Sequence, residues 1–161
     1  MDRRPPLEDG LEVKMVLYLP RDAASVPVSR QVLDSCLRTL GVTPDTRSDI
    51  ALALSEACGN VIRHAGPGEE YEVQVSAKDC LCAIEVVNTS SDGDGAGAIA
   101  VTSEPVPDSA EHGRGLKIID AVVDNLQLTG NERQGTIVRF EKTLEWLPGA
   151  AGPQLFSSET R

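Results

Sequence analysis

Basic residues are scarce in this chain: 15 Lys and Arg stand against 25 Asp and Glu, a formal net charge of −10. Nonspecific nucleic-acid binding runs on clustered Lys and Arg that neutralise phosphates, so that class is excluded and a basic or mixed-charge protein partner is expected instead. No apolar run approaches the roughly 20 residues a membrane helix needs, and residues 1–10 are polar rather than signal-like, so the protein is expected to be soluble and cytoplasmic. The four cysteines, Cys36, Cys58, Cys80 and Cys82, make no zinc-like pair of pairs. In apolar surroundings they read as reduced core thiols. No internal repeat is visible, and no Gly-x-Gly-x-x-Gly follows a first strand. A length of 161 residues suits one α/β domain with ragged ends: a flexible 1–10, a folded 11–146 and a disordered tail over 147–161.

What is present is strong periodicity. Leu11, Val13, Met15, Leu17 and Leu19 alternate with more polar residues and predict a half-buried strand. A first helix enters through Ser25 and Pro27, carries Leu33, Cys36, Leu37 and Leu40, and stops at Gly41. Thr43-Pro44-Asp45 opens a second helix to about His64, with Ile50, Ala53, Leu54, Ala57 and Val61 as its apolar stripe. Tyr71 to Ala77 and Leu81 to Val87 form a hairpin about a Lys78-Asp79 turn. Residues 88–112 dissolve into Gly, Pro, Ser and acids, a stretch long enough to be a lid or binding loop. A third helix follows through Leu116, Ile119 and Val123, then a hairpin turning through Gly130-Asn131. This order predicts an α+β two-layer sandwich, a mixed, mostly antiparallel sheet covered on one face by about three helices.

Two features carry chemistry. Glu56, Asn60 and His64 fall at i, i+4 and i+8, a polar row bordering the buried stripe. A carboxylate beside a carboxamide suits a metal-phosphate site, the amide ligating Mg²⁺ and the carboxylate polarising a nucleophile; a plain solvated helix edge is an equal reading of the row alone. Gly113-Arg114-Gly115-Leu116 marks a loop-to-helix junction where free N–H groups can meet phosphate. Arg114 and Lys117 flank it as cations, whereas His112 reads as a loop histidine and His64 as a structural or cleft-lining one.

Leu54 to His64 (LSEACGNVIRH) and Gly113 to Ile119 (GRGLKII) resemble the asparagine box and second glycine box of the Bergerat-fold ATPases, which include gyrase, MutL and sensor histidine-kinase catalytic domains. Within them the chain is most similar to the anti-sigma-factor serine/threonine kinases, over Leu11 to about Trp146. The resemblance implies ATP and Mg²⁺ as cofactors, with Asn60 as the Mg²⁺ ligand and Glu56 as the catalytic carboxylate. Gly113, Arg114, Gly115 and Leu116 would lie at the phosphates, Asn88 and Thr136 at the adenine end, and residues 88–112 would be the ATP lid. It also implies a sigma factor and a STAS-type anti-anti-sigma protein as partners, with serine on the latter as phosphate acceptor, and admits a homodimer paired through the open sheet face or first helix. The chain departs from the family's Asp-x-Gly-x-Gly box, having Asn88-Thr89-Ser90-Ser91-Asp92 there. Asparagine can still accept from the adenine amino group and donate to a ring nitrogen. A degenerate module that captures a partner without kinase activity is the alternative. The catalytic half of a split histidine kinase is a third reading, disfavoured by the lack of a phosphoacceptor helix.

Overall fold

The structure is a computed structural model that describes residues 12–64, 70–89, 101–102, 111–131 and 135–156. Strand β1 (Val13–Pro20) precedes two helices, α1 (Ser25–Leu40) and α2 (Pro44–His64). The hairpin β2 (Glu70–Lys78) and β3 (Leu81–Thr89) follows, then β4 (Val101–Thr102), α3 (Glu111–Val122), β5 (Asn125–Asn131), β6 (Gly135–Thr143) and α4 (Gly152–Phe156). The strands form a six-stranded sheet in the order β1-β2-β3-β6-β5-β4. Every pairing is antiparallel, where a mixed sheet was expected. Two helices separate β1 from β2, so the chain reverses an odd number of times and returns antiparallel.

Alternation decides which face is buried. Leu19, Tyr71, Val73, Ile84, Val86, Val138 and Phe140 point to the helices and pack with Leu33, Leu37, Ile50, Leu54, Val61 and Ile119. Lys14, Val16, Tyr18 and Gln74 face the other way and are exposed, so the sheet is covered on one side only. The two-layer α+β sandwich follows from that asymmetry.

The helix ends obey local chemistry. Gly41 takes a left-handed φ of 93° and donates its N–H to the Arg38 carbonyl, ending α1. Thr43 Oγ1 accepts from the Thr46 N–H at 3.4 Å and opens α2, with Pro44 as its first residue. At the far end Arg21 Nη2 donates to the carbonyls of Val61 and Ile62 at 3.4 and 3.1 Å, covering oxygens the last turn leaves unpaired. Arg47 Nη1 reaches both Asp34 oxygens, at 3.1 and 3.2 Å, tying α2 to α1.

Several boundaries differ from expectation. The β2–β3 turn residues are Asp79 and Cys80, with φ of 51° and 64°, because Lys78 and Leu81 close the ladder. Gly130 and Asn131 are not turn residues but pair with Thr136 and Gly135. The 88–112 loop begins and ends in regular structure and contains β4, which pairs with β5. Its remaining residues, 90–100 and 103–110, lie outside the described residues. The expected disordered tail is corrected over residues 147–156. The Leu147 N–H bonds the Gly41 carbonyl at 2.8 Å, and Gly152 is buried against the Trp146 ring, with no room there for a Cβ. Small residues let this segment fold back onto the α1–α2 turn. Residues 1–11 and 157–161 lie outside the described residues. Among the described residues no helix is long and apolar enough to cross a membrane.

Candidate functional site

Helix α2 carries the polar row at the edge of its buried stripe. Ala53, Leu54, Ala57 and Val61 are fully buried, which leaves Glu56 half-buried and Asn60 only 7% exposed on the adjoining face. His64 closes the helix, but its side chain lies outside the described residues, as does that of His112. Burial of an amide at Asn60 is costly in an apolar setting, which separates it from an ordinary solvated helix edge.

Helix α3 packs across α2 at this row. It starts at Glu111, so Gly113 and Gly115 lie inside the helix rather than on a turn ahead of it. Gly113 falls among the first N–H groups, which have no partner within the helix, and Gly115 falls beyond them. Gly115 has a different physical role. A Cβ placed on it would lie 2.9 Å from Glu56 Oε2 and 4.0 Å from an Arg63 terminal nitrogen. A side chain at this position would push the Glu56 carboxylate, the end of a flexible side chain, away from α3. Leu116 turns into the core at 8% exposure, leaving only its backbone to face a ligand, while Arg114 is exposed.

Arg63 was not singled out from the sequence. Its guanidinium lies back along α2, 3.2 Å from where a Gly59 Cβ would sit, and brings a cation to the Glu56–Gly115 contact. The signal was available: Arg63 is seven residues after Glu56 and four after Gly59, all on one face of a helix.

At the other end of the sheet, β3 and β6 separate. Their ladder runs from Leu81↔Thr143 to Val87↔Ile137 and stops. The next register position would pair Asn88 with Thr136. Instead Asn88 keeps only its β2 partner Tyr71, and Thr136 only its β5 partner Gly130. The two residues that the resemblance puts at the adenine end thus stand together just past the last rung between β3 and β6. Asn88 is 5% exposed, and neither its Nδ2 nor its Oδ1 has a hydrogen-bond partner among the described residues. An amide buried with both ends unpaired costs several kcal/mol on the order of 2–5, which a ligand with matching groups would recover. The Thr136 side chain lies outside the described residues.

Behind the row lies a buried cluster of hydroxyls and a thiol. Tyr71 Oη and Ser25 Oγ are 2.6 Å apart, and Ser29 Oγ lies 3.8 Å from Cys58 Sγ. Burial pushes the Cys58 thiol up to about 11 and the Cys82 thiol up to about 12, and it raises the Tyr71 hydroxyl as well. All four cysteines are free thiols, and these two are neutral core residues.

The arrangement therefore combines a carboxylate, a buried amide, a glycine-permitted helix approach and an orphaned amide at a sheet gap. The chain resembles known proteins over most of its length. Over 138 residues, 81% of this chain and 94% of the relative, it is 28% identical to an anti-sigma F factor of Clostridium botulinum (strain Eklund 17B / Type B). It is 26% identical over 130 residues, 74% of this chain and 79% of the relative, to the serine-protein kinase RsbW of Bacillus cereus (strain AH820). In fold it resembles the crystal structure of the RsbU and RsbW domains of Rv1364c from Mycobacterium tuberculosis, with a TM-score of 0.61 at 17% identity, covering 82% of this chain and 32% of that one. Residues 19–142 match the histidine kinase-like ATPase domain, a span that includes every site residue above, and the chain belongs to that family.

Proposed function

We propose that the protein is an anti-sigma factor that uses ATP to phosphorylate a serine or threonine on an anti-anti-sigma protein, and so controls transcription by switching between that partner and a sigma factor. The observation that carries this reading is the apposition of Glu56 on α2 with Gly115 on α3, one helical turn from the buried amide of Asn60. The relatives named as an anti-sigma F factor and a serine-protein kinase support it.

The residues present fit MgATP on two counts: a buried amide with both ends unpaired at the base end, and a bare α3 backbone at Gly115, where a Cβ would crowd the Glu56 carboxylate. Bound MgATP would supply the γ-phosphoryl group and neutralise its charge. Asn60 would hold the metal together with phosphate oxygens. Mg²⁺ in phosphate sites is usually held by one or two protein groups plus substrate phosphates. The Gly113 N–H at the start of α3 would face a phosphate oxygen, and Arg63 and Arg114 would add positive charge. Glu56 Oε2 accepts the proton that the substrate hydroxyl loses as it attacks, while Asn88 and Thr136 bound the base.

One observation favours a second reading. Asn88 stands where the family has a carboxylate, so a module that captures its partner without phosphoryl transfer is the alternative. Titration calorimetry with MgATP separates the two. Kinase function requires binding in the wild type, its loss in Asn60→Ala, and transfer to a purified anti-anti-sigma protein that falls by about 10²-fold or more in Glu56→Gln. A folded wild type that binds no ATP at millimolar concentration leaves partner capture.

A further inference from the structure

Asn88 differs in chemistry from the family pattern, and neither of its two functional atoms is engaged by the described residues. Its neighbours do not hold it. Tyr71, across the β2–β3 ladder, has its hydroxyl committed to Ser25 at 2.6 Å. On the other side the β3–β6 ladder has already ended at Val87↔Ile137, so no rung to β6 is made at this position. Nothing among the described residues therefore selects which way the carboxamide faces, and a half-turn about its last torsion exchanges donor and acceptor without breaking a hydrogen bond to any of them.

That freedom has a consequence for the base. Adenine presents an amino donor at position 6 and an acceptor at N1; hypoxanthine and guanine present a carbonyl acceptor at position 6 and a donor at N1–H. A carboxamide meets the first edge with Oδ1 toward position 6 and Nδ2 toward N1, and meets the second after the half-turn, making two hydrogen bonds each time. A carboxylate only accepts, so it satisfies the adenine amino group and is opposed by a 6-carbonyl in the same place. We infer that Asn88 widens the site from adenine to 6-oxopurine nucleotides, so that the protein takes inosine or guanosine triphosphate alongside ATP. This rests on the nucleotide-binding reading above.

The test is calorimetric titration of the full chain with MgATP and with MgITP, which differs from ATP only at the edge Asn88 would read. Dissociation constants within about tenfold of each other are expected, the span of one lost hydrogen bond. A larger preference for ATP overturns the inference and leaves nucleotide binding intact, whereas no binding of either nucleotide overturns both. In Asn88→Asp, with folding checked by circular dichroism, ITP should weaken relative to ATP by about tenfold or more, and an unchanged ratio in the folded variant overturns the inference. Asn88→Ala, which cannot strand a buried charge, should weaken both nucleotides and leave their ratio near that of the wild type; loss of ITP alone counts against the inference.

Discussion

The two ends of β3 are built on opposite terms. At its start the backbone is well paired: Lys78 and Leu81 close a two-residue turn, Cys80 offers its carbonyl to the Leu144 N–H at 2.8 Å, and Leu81 pairs with Thr143. Even the Thr143 N–H is met, by Asp124 Oδ2 at 2.6 Å. At its end the ladder to β6 stops and Asn88 is buried with neither side-chain atom paired. One end contributes stability, and the other withholds it where a ligand would supply the missing partners. A native fold that tolerates an orphaned amide does so most often at a functional site.

The strongest way to break this contrast is to weaken what joins the two ends. Ile84 lies midway along β3, is fully buried, and faces α2. Ile84→Ala is expected to cost about 2–5 kcal/mol in urea denaturation, lowering the midpoint through a single cooperative transition. Separate transitions for the two ends would show them to be independent.

A smaller and opposite effect is expected at the open end. Asn88→Leu keeps the volume and removes both unpaired polar atoms, so the ligand-free protein should gain about 1–3 kcal/mol, read as a higher urea midpoint, while MgATP binding falls. A loss of stability instead would mean that Asn88 is satisfied in solution and that the comparison between the ends is wrong.

The smallest effect sharpens the closed end. The backbone N–H of Thr143, with Lys142 nearby, holds the Asp124 carboxyl below its ordinary value of 3.8. A depressed folded-state value stabilises the protein above the unfolded value, and that contribution disappears as the pH falls through the folded one. The stability gap between wild type and Asp124→Asn should therefore be constant above about pH 5 and close progressively below 3.8. A gap independent of pH would assign the contact to geometry alone.

Local signals were legible where a residue type has one strong physical preference. Gly41 ends α1, Thr43 and Pro44 open α2, and the alternation of β1, β2 and β3 sorts core from solvent. Signals failed where long-range packing overrode them. Gly130 and Asn131 have turn chemistry yet sit in a ladder, as the last two residues of β5, paired with Thr136 and Gly135. Residues 147–156 are rich in Gly, Pro and Ala, a composition that reads as tail, but Gly152 and Ala150 are the sizes that fit against Trp146 and Gly41. Gly113 and Gly115 read as a phosphate turn; within α3 they divide, one near free N–H groups and the other making room for Glu56.

By itself the sequence determined every element except β4 and α4, their order, the buried faces of the main helices and strands and the spacing of Glu56, Asn60 and His64, because helix and strand periods are local properties of side-chain spacing. Only the tertiary structure decided that the sheet is antiparallel throughout the described residues, that Arg63 joins Glu56 at Gly115, and that Asn88 and Thr136 stand just past the last rung between β3 and β6. Those are register and packing relations between residues distant in sequence, and no local spacing encodes which rung of a ladder is the last.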